Sequence, residues 1–480
     1  MSTDYDVIIA GSGLGGLTCG AFLSRAGLKV LVLEQHYQIG GYAHGFKRRQ
    51  YRFESGIHSV ALGANGLIMH LLKLLGIENS IEPVPHTSMF TSMTPDGTWR
   101  MPVERDEIIS ALSILFPAEQ ESLGKLFADM QRFYDRLLSP VFEYETLYRE
   151  QDRDFLAPYF NHSFADYLSG FINDPGLKNI FYSQWPFVGS SPEYSPVTFF
   201  LLMYYVHVRE GSHYIKGGFK SLVDALASVI TGKGGYIKIR SRIVNVNVEN
   251  DRVTSVGTET GETYSARMYV SNISPYLLHS SIIDEPARNR IWLRRLSSLK
   301  PSFSALAIYA GLRRPLPFDD GTLLWYVGND MEPVFTNACR TPDIEPDHLI
   351  FLKAPPECKE NTAIIMRLVS PEIPGRWKEE KKRYADAMLD KAEAVCPGLR
   401  DSIDIMEIGS PSTFERYTAN TGGALYGFEN TKNIYGEAKL PHRTYLKNLY
   451  QVGHWGKPGG GVWNVMQNGY TGAVLILKEM

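Results

Sequence analysis
A glycine-rich turn held between two short apolar runs at the start of the chain constrains everything downstream. Asp6-Val7-Ile8-Ile9-Ala10 reads as a buried strand and runs directly into Gly11-Ser12-Gly13-Leu14-Gly15-Gly16. Gly11, Gly13 and Gly16 thus meet the G-x-G-x-x-G spacing of a nucleotide-binding βαβ unit. Gly13 lets backbone approach a pyrophosphate, Gly16 lets the next helix lie on the sheet, and the amides opening that helix face the phosphate. Leu17 to Ala26 continues the helix, Gly27 ends it, and Lys29 to Leu33 forms a second strand that terminates in Glu34. An acid about twenty residues past the glycines can accept both ribose hydroxyls of an adenosine. The strand before, the helix after and the terminal acid are the context that separates this motif from an incidental turn.

The chain has 480 residues, 44% of them apolar, enough for two domains with separate cores. Lys plus Arg (49) nearly balance Asp plus Glu (52), so no global field favours nucleic acid, and 12% aromatic content points to apolar walls. Cys19, Cys339, Cys358 and Cys396 show no metal or C-x-x-C spacing. With no basic-then-apolar leader before the first strand, the expectation is a reduced cytoplasmic setting. The longest apolar run, Val197 to Val206, is too short to span a bilayer. No H-E-x-x-H, G-x-S-x-G or Walker sequence is present, and no metal site is expected.

Three further stretches carry a family resemblance. After Glu34 come Gln35 and the Gly40-Gly41 pair, then Tyr42 to Ile57 with Glu54 and Gly56. Mid-chain, His213 to Val223 holds Gly217-Gly218 at the start of an amphipathic helix. Near the end stand Pro411 to Tyr417, Gly422 to Gly427, the strand Leu449 to Gly453, and Lys457-Pro458-Gly459-Gly460-Gly461-Val462-Trp463-Asn464 before an apolar helix. In this order they resemble the FAD-dependent phytoene desaturases, carotenoid cis-trans isomerases and retinol saturases of the amine-oxidase-like flavoproteins. Lys216 stands near the place where that family often has proline, and Glu54 where aspartate is usual. No second dinucleotide fingerprint follows, so a bound nicotinamide coenzyme is not expected.

The resemblance implies an α/β fold: a discontinuous Rossmann-type FAD-binding domain of residues 1–80, 211–275 and 406–480. It pairs with an α+β substrate domain of residues 81–210 and 276–405, containing an antiparallel sheet and a helical cap. FAD contacts are expected from Gly11, Gly13, Leu14, Gly15, Gly16, Glu34, Gln35, Gly40, Gly41, Tyr42, Ile243, Val244, Gly453, Gly460, Gly461, Val462 and Trp463, with Val244 to Val248 a candidate for pairing with the adenine. Glu54, His58, Glu415 and Trp455 are candidates for the chemistry. The expected substrate is a long polyene or isoprenoid, desaturated, saturated or isomerised by hydride transfer to or from the flavin. A flavin oxidase of amines or amino acids, or a non-catalytic flavin-fold lipid carrier, are the alternatives. Arg288, Arg290, Arg294, Arg295 and Lys300 interleave with Ile291, Trp292, Leu293, Leu296 and Leu299. That basic amphipathic pattern either lies at a lipid surface or covers the core as an ordinary surface helix.

Overall fold
The computed structural model describes residues 4–144, 153–318, 321–340, 345–358, 360–371, 377–431 and 439–480. Its first apolar run, Tyr5–Ala10, is the central strand of a five-stranded parallel sheet. The strand order is Tyr236–Lys238, Val30–Leu33, Tyr5–Ala10, Ala266–Ser271, Leu449–Gln451, so distant parts of the chain assemble one sheet. Alternation along these strands sorts their side chains. Val7, Ile9, Val30, Val32, Met268 and Val270 join the large core with the helices Leu14–Arg25, Lys220–Gly232 and Val462–Glu479. Ile8, Ala10, Leu31 and Leu33 face the other way, against a small antiparallel sheet that includes Ile243–Glu249 and Arg252–Thr258. Burial on both faces explains why the strands read as unbroken apolar text.

A second sheet has seven strands in the order Ile403–Gly409, Ser304–Leu312, Thr362–Val369, His348–Leu352, Thr322–Tyr326, Phe90–Thr94, Gly97–Met101. Its pairs are antiparallel except that Thr322–Tyr326 runs parallel to Phe90–Thr94. Ile350, Leu352, Ile364, Met366 and Leu368 point into the large core, while Leu349, Phe351, Ile365 and Ile308 are covered by the helix Trp377–Val395. The strand Ile403–Gly409 pairs along Ser304–Leu312, so this sheet runs across the boundary expected between residues 405 and 406.

Helices occupy the segment between the sheets. Arg105–Leu115 and Gln120–Tyr144 are continuous helices, whereas the stretch from Phe164 to Phe181 forms two, Phe164–Ser169 and Pro175–Tyr182. Local chemistry explains the break. Asp174 caps the second helix by accepting from the Leu177 amide at 3.0 Å, and Pro175 occupies its first turn. The aromatic run becomes Val197–Glu210, a helix apolar almost all round and buried accordingly.

The basic amphipathic stretch forms the helix Arg290–Ser298. Its apolar side packs inward: Leu296 and Leu299 join a cluster with Phe428, Leu440 and Trp455. Ile291 is 81% exposed beside the exposed Arg290 and Arg294. Cys19 and Cys396 are buried and Cys358 is half-buried; the side chain of Cys339 lies outside the described residues.

Candidate active site where the chain ends meet
The glycine turn is braced from three directions. Gly40 donates to the Ser12 carbonyl at 3.0 Å, laying the Gly40-Gly41 pair beside Gly13. Glu34, 7% exposed, accepts from the Ser12 amide at 2.8 Å and the Ser12 hydroxyl at 2.6 Å through Oε2, and from the His36 amide at 2.8 Å through Oε1. The expected ribose acid therefore also holds the turn in shape. The third brace comes from the C-terminal end of the chain. A Cβ added at Gly15 would lie 2.7 Å from Gly453 Cα, and one added at Gly469 would lie 2.3 Å from the Gly15 carbonyl oxygen. Asn272, at the carboxyl end of Ala266–Ser271, fits its side chain between Gly13, Gly15, Gly16 and Gly453.

These surfaces enclose a cavity of about 320 Å³. Gly11, Gly13, Leu14, Gly15, Glu34, Gln35, Gly40, Gly41, Tyr42, Ile243, Gly453, Gly461, Val462 and Trp463 line it, as does His58. The long helix Val462–Glu479 thus starts at the cavity wall, where its unpaired amides carry partial positive charge. Further along, the wall turns apolar through Phe187, Leu202, Met203, Val206, Ile350, Leu352, Met366 and Leu368. The aromatic helix and the seven-stranded sheet supply most of that end.

Several expected residues lie elsewhere. Gly16 packs helix against turn, where a Cβ would be 2.4 Å from the Gly11 carbonyl oxygen. Gly460 backs onto Tyr426, its Cβ position 2.8 Å from Tyr426 Cα. The side chain of Val244 is 47% exposed, because its strand alternates and Ile243 takes the inward position. Glu415 is exposed on the helix Pro411–Thr418, where its carboxylate accepts from the Gly422 amide at 3.1 Å. Trp455 is fully buried edge-on against Phe428 and Tyr276, and its Nε1 donates to Asn420 Oδ1 at 2.9 Å. Glu54 is half-buried and lines a smaller cavity that shares His58 with the main one. Gly217-Gly218 lies beside it: Gly217 offers its carbonyl to Arg52, and a Cβ at Gly218 would meet Glu54 Oε1 at 2.2 Å.

Other lining residues escaped the motif argument: Asn272, His44, His207, Ser241, Arg242, Asn420 and His454. Asn272 had one available signal, its place just past a parallel strand, the edge at which open α/β sheets bind ligands. Burial holds the imidazoles neutral, pulling His58 down to about 3 and His207 and His454 to about 4. His44 is lowered by the same cause, and the Tyr42 hydroxyl is pushed up to about 12. Lys439, beneath the glycine-rich loop, is pulled down to about 7 by burial and donates to Asn430 and to the Pro458 carbonyl.

Residues 14–476 match the family model described as flavin containing amine oxidoreductase. The chain belongs to that family. Prolycopene isomerase, chloroplastic, of Daucus carota is 25% identical over 511 residues, covering 100% of this chain and 81% of the relative. All-trans-retinol 13,14-reductase of Rattus norvegicus is 24% identical over 503 residues, covering 93% of this chain and 82% of the relative. The solved structure of cyclohexylamine oxidase from Brevibacterium oxydans superimposes with a TM-score of 0.63 at 18% identity, covering 99% of each chain, a likeness of fold.

The chain is an FAD-dependent oxidoreductase, and the cavity fits that cofactor. Its lining has side-chain-free backbone at Gly11, Gly13 and Gly15, an acid at the end of the second strand, and a helix start at Gly461 to Trp463. In that order they would suit the pyrophosphate, the ribose and the ring of FAD.

Proposed function
We propose that this flavoenzyme acts on a long apolar polyene or isoprenoid, which it desaturates, saturates or isomerises between cis and trans. One observation carries the proposal: the glycine-lined part of the cavity continues, without a partition, into walls of Leu202, Met203, Val206, Ile350, Leu352, Met366 and Leu368. Among the described residues lining it, the one carboxylate is Glu34, on the dinucleotide side. A substrate ammonium paired with a carboxylate would need one beside the ring. A hydrocarbon chain needs only shape and exclusion of water. The relatives named for prolycopene and all-trans-retinol support the same substrate class.

In this proposal Glu34 would hold the ribose, the amides around Gly13 to Gly15 the pyrophosphate, and Gly461 to Trp463 the edge of the ring. FAD, when bound, supplies the hydride chemistry. The chain itself orients the substrate, its aliphatic walls excluding water and aligning one bond. Anaerobic incubation of the holoenzyme with prolycopene, all-trans-retinol, phytoene and cyclohexylamine tests it. A polyene product or a polyene-dependent change in flavin absorbance is expected; flavin bleaching by cyclohexylamine alone would overturn the proposal.

We also propose a cytoplasmic setting with peripheral lipid contact through Arg290, Ile291 and Arg294, exposed together on one helix. Among the described residues no helix is long and apolar enough to cross a membrane. Co-sedimentation with anionic vesicles is expected for the natural chain and should fall in Ile291→Asp. No sedimentation of the natural chain removes the lipid contact.

A further inference from the structure
A second, smaller cavity of about 20 Å³ lies behind the main one, lined in part by Glu54, His58, Tyr214 and Glu360. Its size suits one water molecule. His58 lines both cavities and is the polar side chain they share. Beyond it, the Tyr214 hydroxyl stands 3.0 Å from Glu54 Oε1 and 3.4 Å from Glu360 Oε2, between the two carboxyls. The Phe219 amide holds the other Glu54 oxygen at 3.3 Å. Glu360 pairs with Arg52, and their side chains are 18% and 39% exposed. The chain of groups therefore starts at solvent and ends at the apolar cavity.

We propose that Glu360, Tyr214, Glu54, one water and His58 form a proton route from solvent into the cavity, with His58 delivering a proton to the reacting polyene or taking one away. The proposal rests on the polyene chemistry proposed above. In the inward direction Glu54 gives its proton to the water, and the water gives one to the facing nitrogen of His58. The opposite ring nitrogen releases its own proton into the cavity. Glu54 regains a proton from the Tyr214 hydroxyl, which is refilled from Glu360 and bulk water. Only O–H and N–H bonds break and form, and one proton crosses with no change of oxidation state. Saturation consumes that proton together with one hydride; desaturation returns it.

The surroundings keep both ends of the route transferable. Burial raises Glu54 to about 7, with Glu360 adding to the rise and Tyr214, the Phe219 amide and Arg52 opposing it. His58 stays neutral because it is buried beside His86 and His207. Lys353 lines the small cavity but turns its ammonium to the Phe318 carbonyl, and Cys358, near Glu360 and Arg52, is held as a thiol by burial. A neutral imidazole between a carboxyl raised to about 7 and an apolar chamber passes a proton by exchanging which ring nitrogen carries it.

The holoenzyme with histidine labelled by nitrogen-15 tests the route without substrate, through exchange of the His58 ring proton with solvent. In Glu54→Gln that exchange is expected to slow by about tenfold or more, and turnover of prolycopene or all-trans-retinol by about 100-fold, a general acid–base contribution. Glu54→Asp should recover part of both, and the limb of the pH–rate profile near pH 7 should vanish in Glu54→Gln. Tyr214→Phe, which removes only the bridging oxygen, serves if Glu54→Gln does not fold. Unchanged exchange in the folded variant overturns the route. Slowed exchange in an enzyme that turns over neither polyene upholds the route and overturns the substrate class instead.

Discussion

Gly15→Ala is expected to yield a chain that neither retains FAD nor keeps its stability, although the change adds a single methyl group. At an exposed helical position the same change would stabilise by about 1 kcal/mol, because glycine loses more backbone entropy on folding than alanine. At Gly15 the methyl would lie 2.7 Å from Gly453 Cα and 2.9 Å from both Gly453 N and Asn272 Oδ1. Two of those neighbours are backbone and cannot rotate away. Gly469 crosses the other side of the same residue, close to its carbonyl. The two chain ends must therefore separate, at an overpacking cost of about 1–3 kcal/mol or more. Separation displaces Gly453 and the helix start at Gly461 from the glycine turn, which opens the proposed FAD cradle. Flavin absorbance per chain after gel filtration and the urea unfolding midpoint should both fall. Gly124→Ala is the internal control, since Gly124 is exposed on a helix and its added Cβ meets nothing within 4 Å. A Gly15 variant as stable and as yellow as the Gly124 variant would show that the ends do not meet.

Acidification from pH 6.5 to pH 4 is expected to remove most of the protein's stability. Burial depresses His58 and His279 to about 3, and His207, His442 and His454 to about 4. An imidazole with a depressed folded-state value contributes its full stability above the ordinary 6.5 and loses it as pH falls through the folded value. His279 is the clearest case. It is 1% exposed, packed beside Trp292 and Tyr445, and neither ring nitrogen has a hydrogen-bond partner among the described residues. Between pH 6.5 and 4 its shift alone costs on the order of 3 kcal/mol, against roughly 5–15 kcal/mol for a whole domain.

Two carboxyls work in the opposite direction. Glu54 and Glu210 are raised to about 7 by burial, so each adds stability as pH falls from 7 toward the ordinary carboxylate value. They are outnumbered. Three of the five imidazoles face the cavity or its rim and cost less than His279, yet the sum still favours unfolding in acid. Urea midpoints at pH 7, 6, 5 and 4 should drop steeply below 6, and His279→Leu should shallow the drop. A midpoint level across that range would mean the imidazoles are not sealed from solvent.

What could be read before the structure followed from how local each signal was. The turn from Gly11 to Gly16 with its flanking strands is a single contiguous unit, and Glu34 ends it. The apolar helix after the glycine-rich loop was equally local, and it spans Val462–Glu479. The candidates for chemistry were placed by proximity to motifs along the chain, and of the four only His58 lines the main cavity. Glu54 sits on a hairpin strand, and its carboxyl turns from the main cavity to accept from the Tyr214 hydroxyl. Glu415 faces solvent on its helix, and Trp455, two residues beyond the lining Gly453, points into a separate apolar cluster. His58 met the cavity because its backbone follows the bend between that hairpin and Val60–Ala61.

Neighbouring residues alone specify the dinucleotide turn, the acid beyond it, the alternation of strand and helix and the apolar supply for a cavity. Each follows from steric and solvation preferences acting over a few neighbouring residues. Folding in three dimensions adds that Gly15 meets Gly453, that Asn272 fills the space among the glycines and that His58 lines two cavities. Those are contacts between segments distant in the chain, set by close packing, where a few tenths of an ångström decide whether two backbones can share a place.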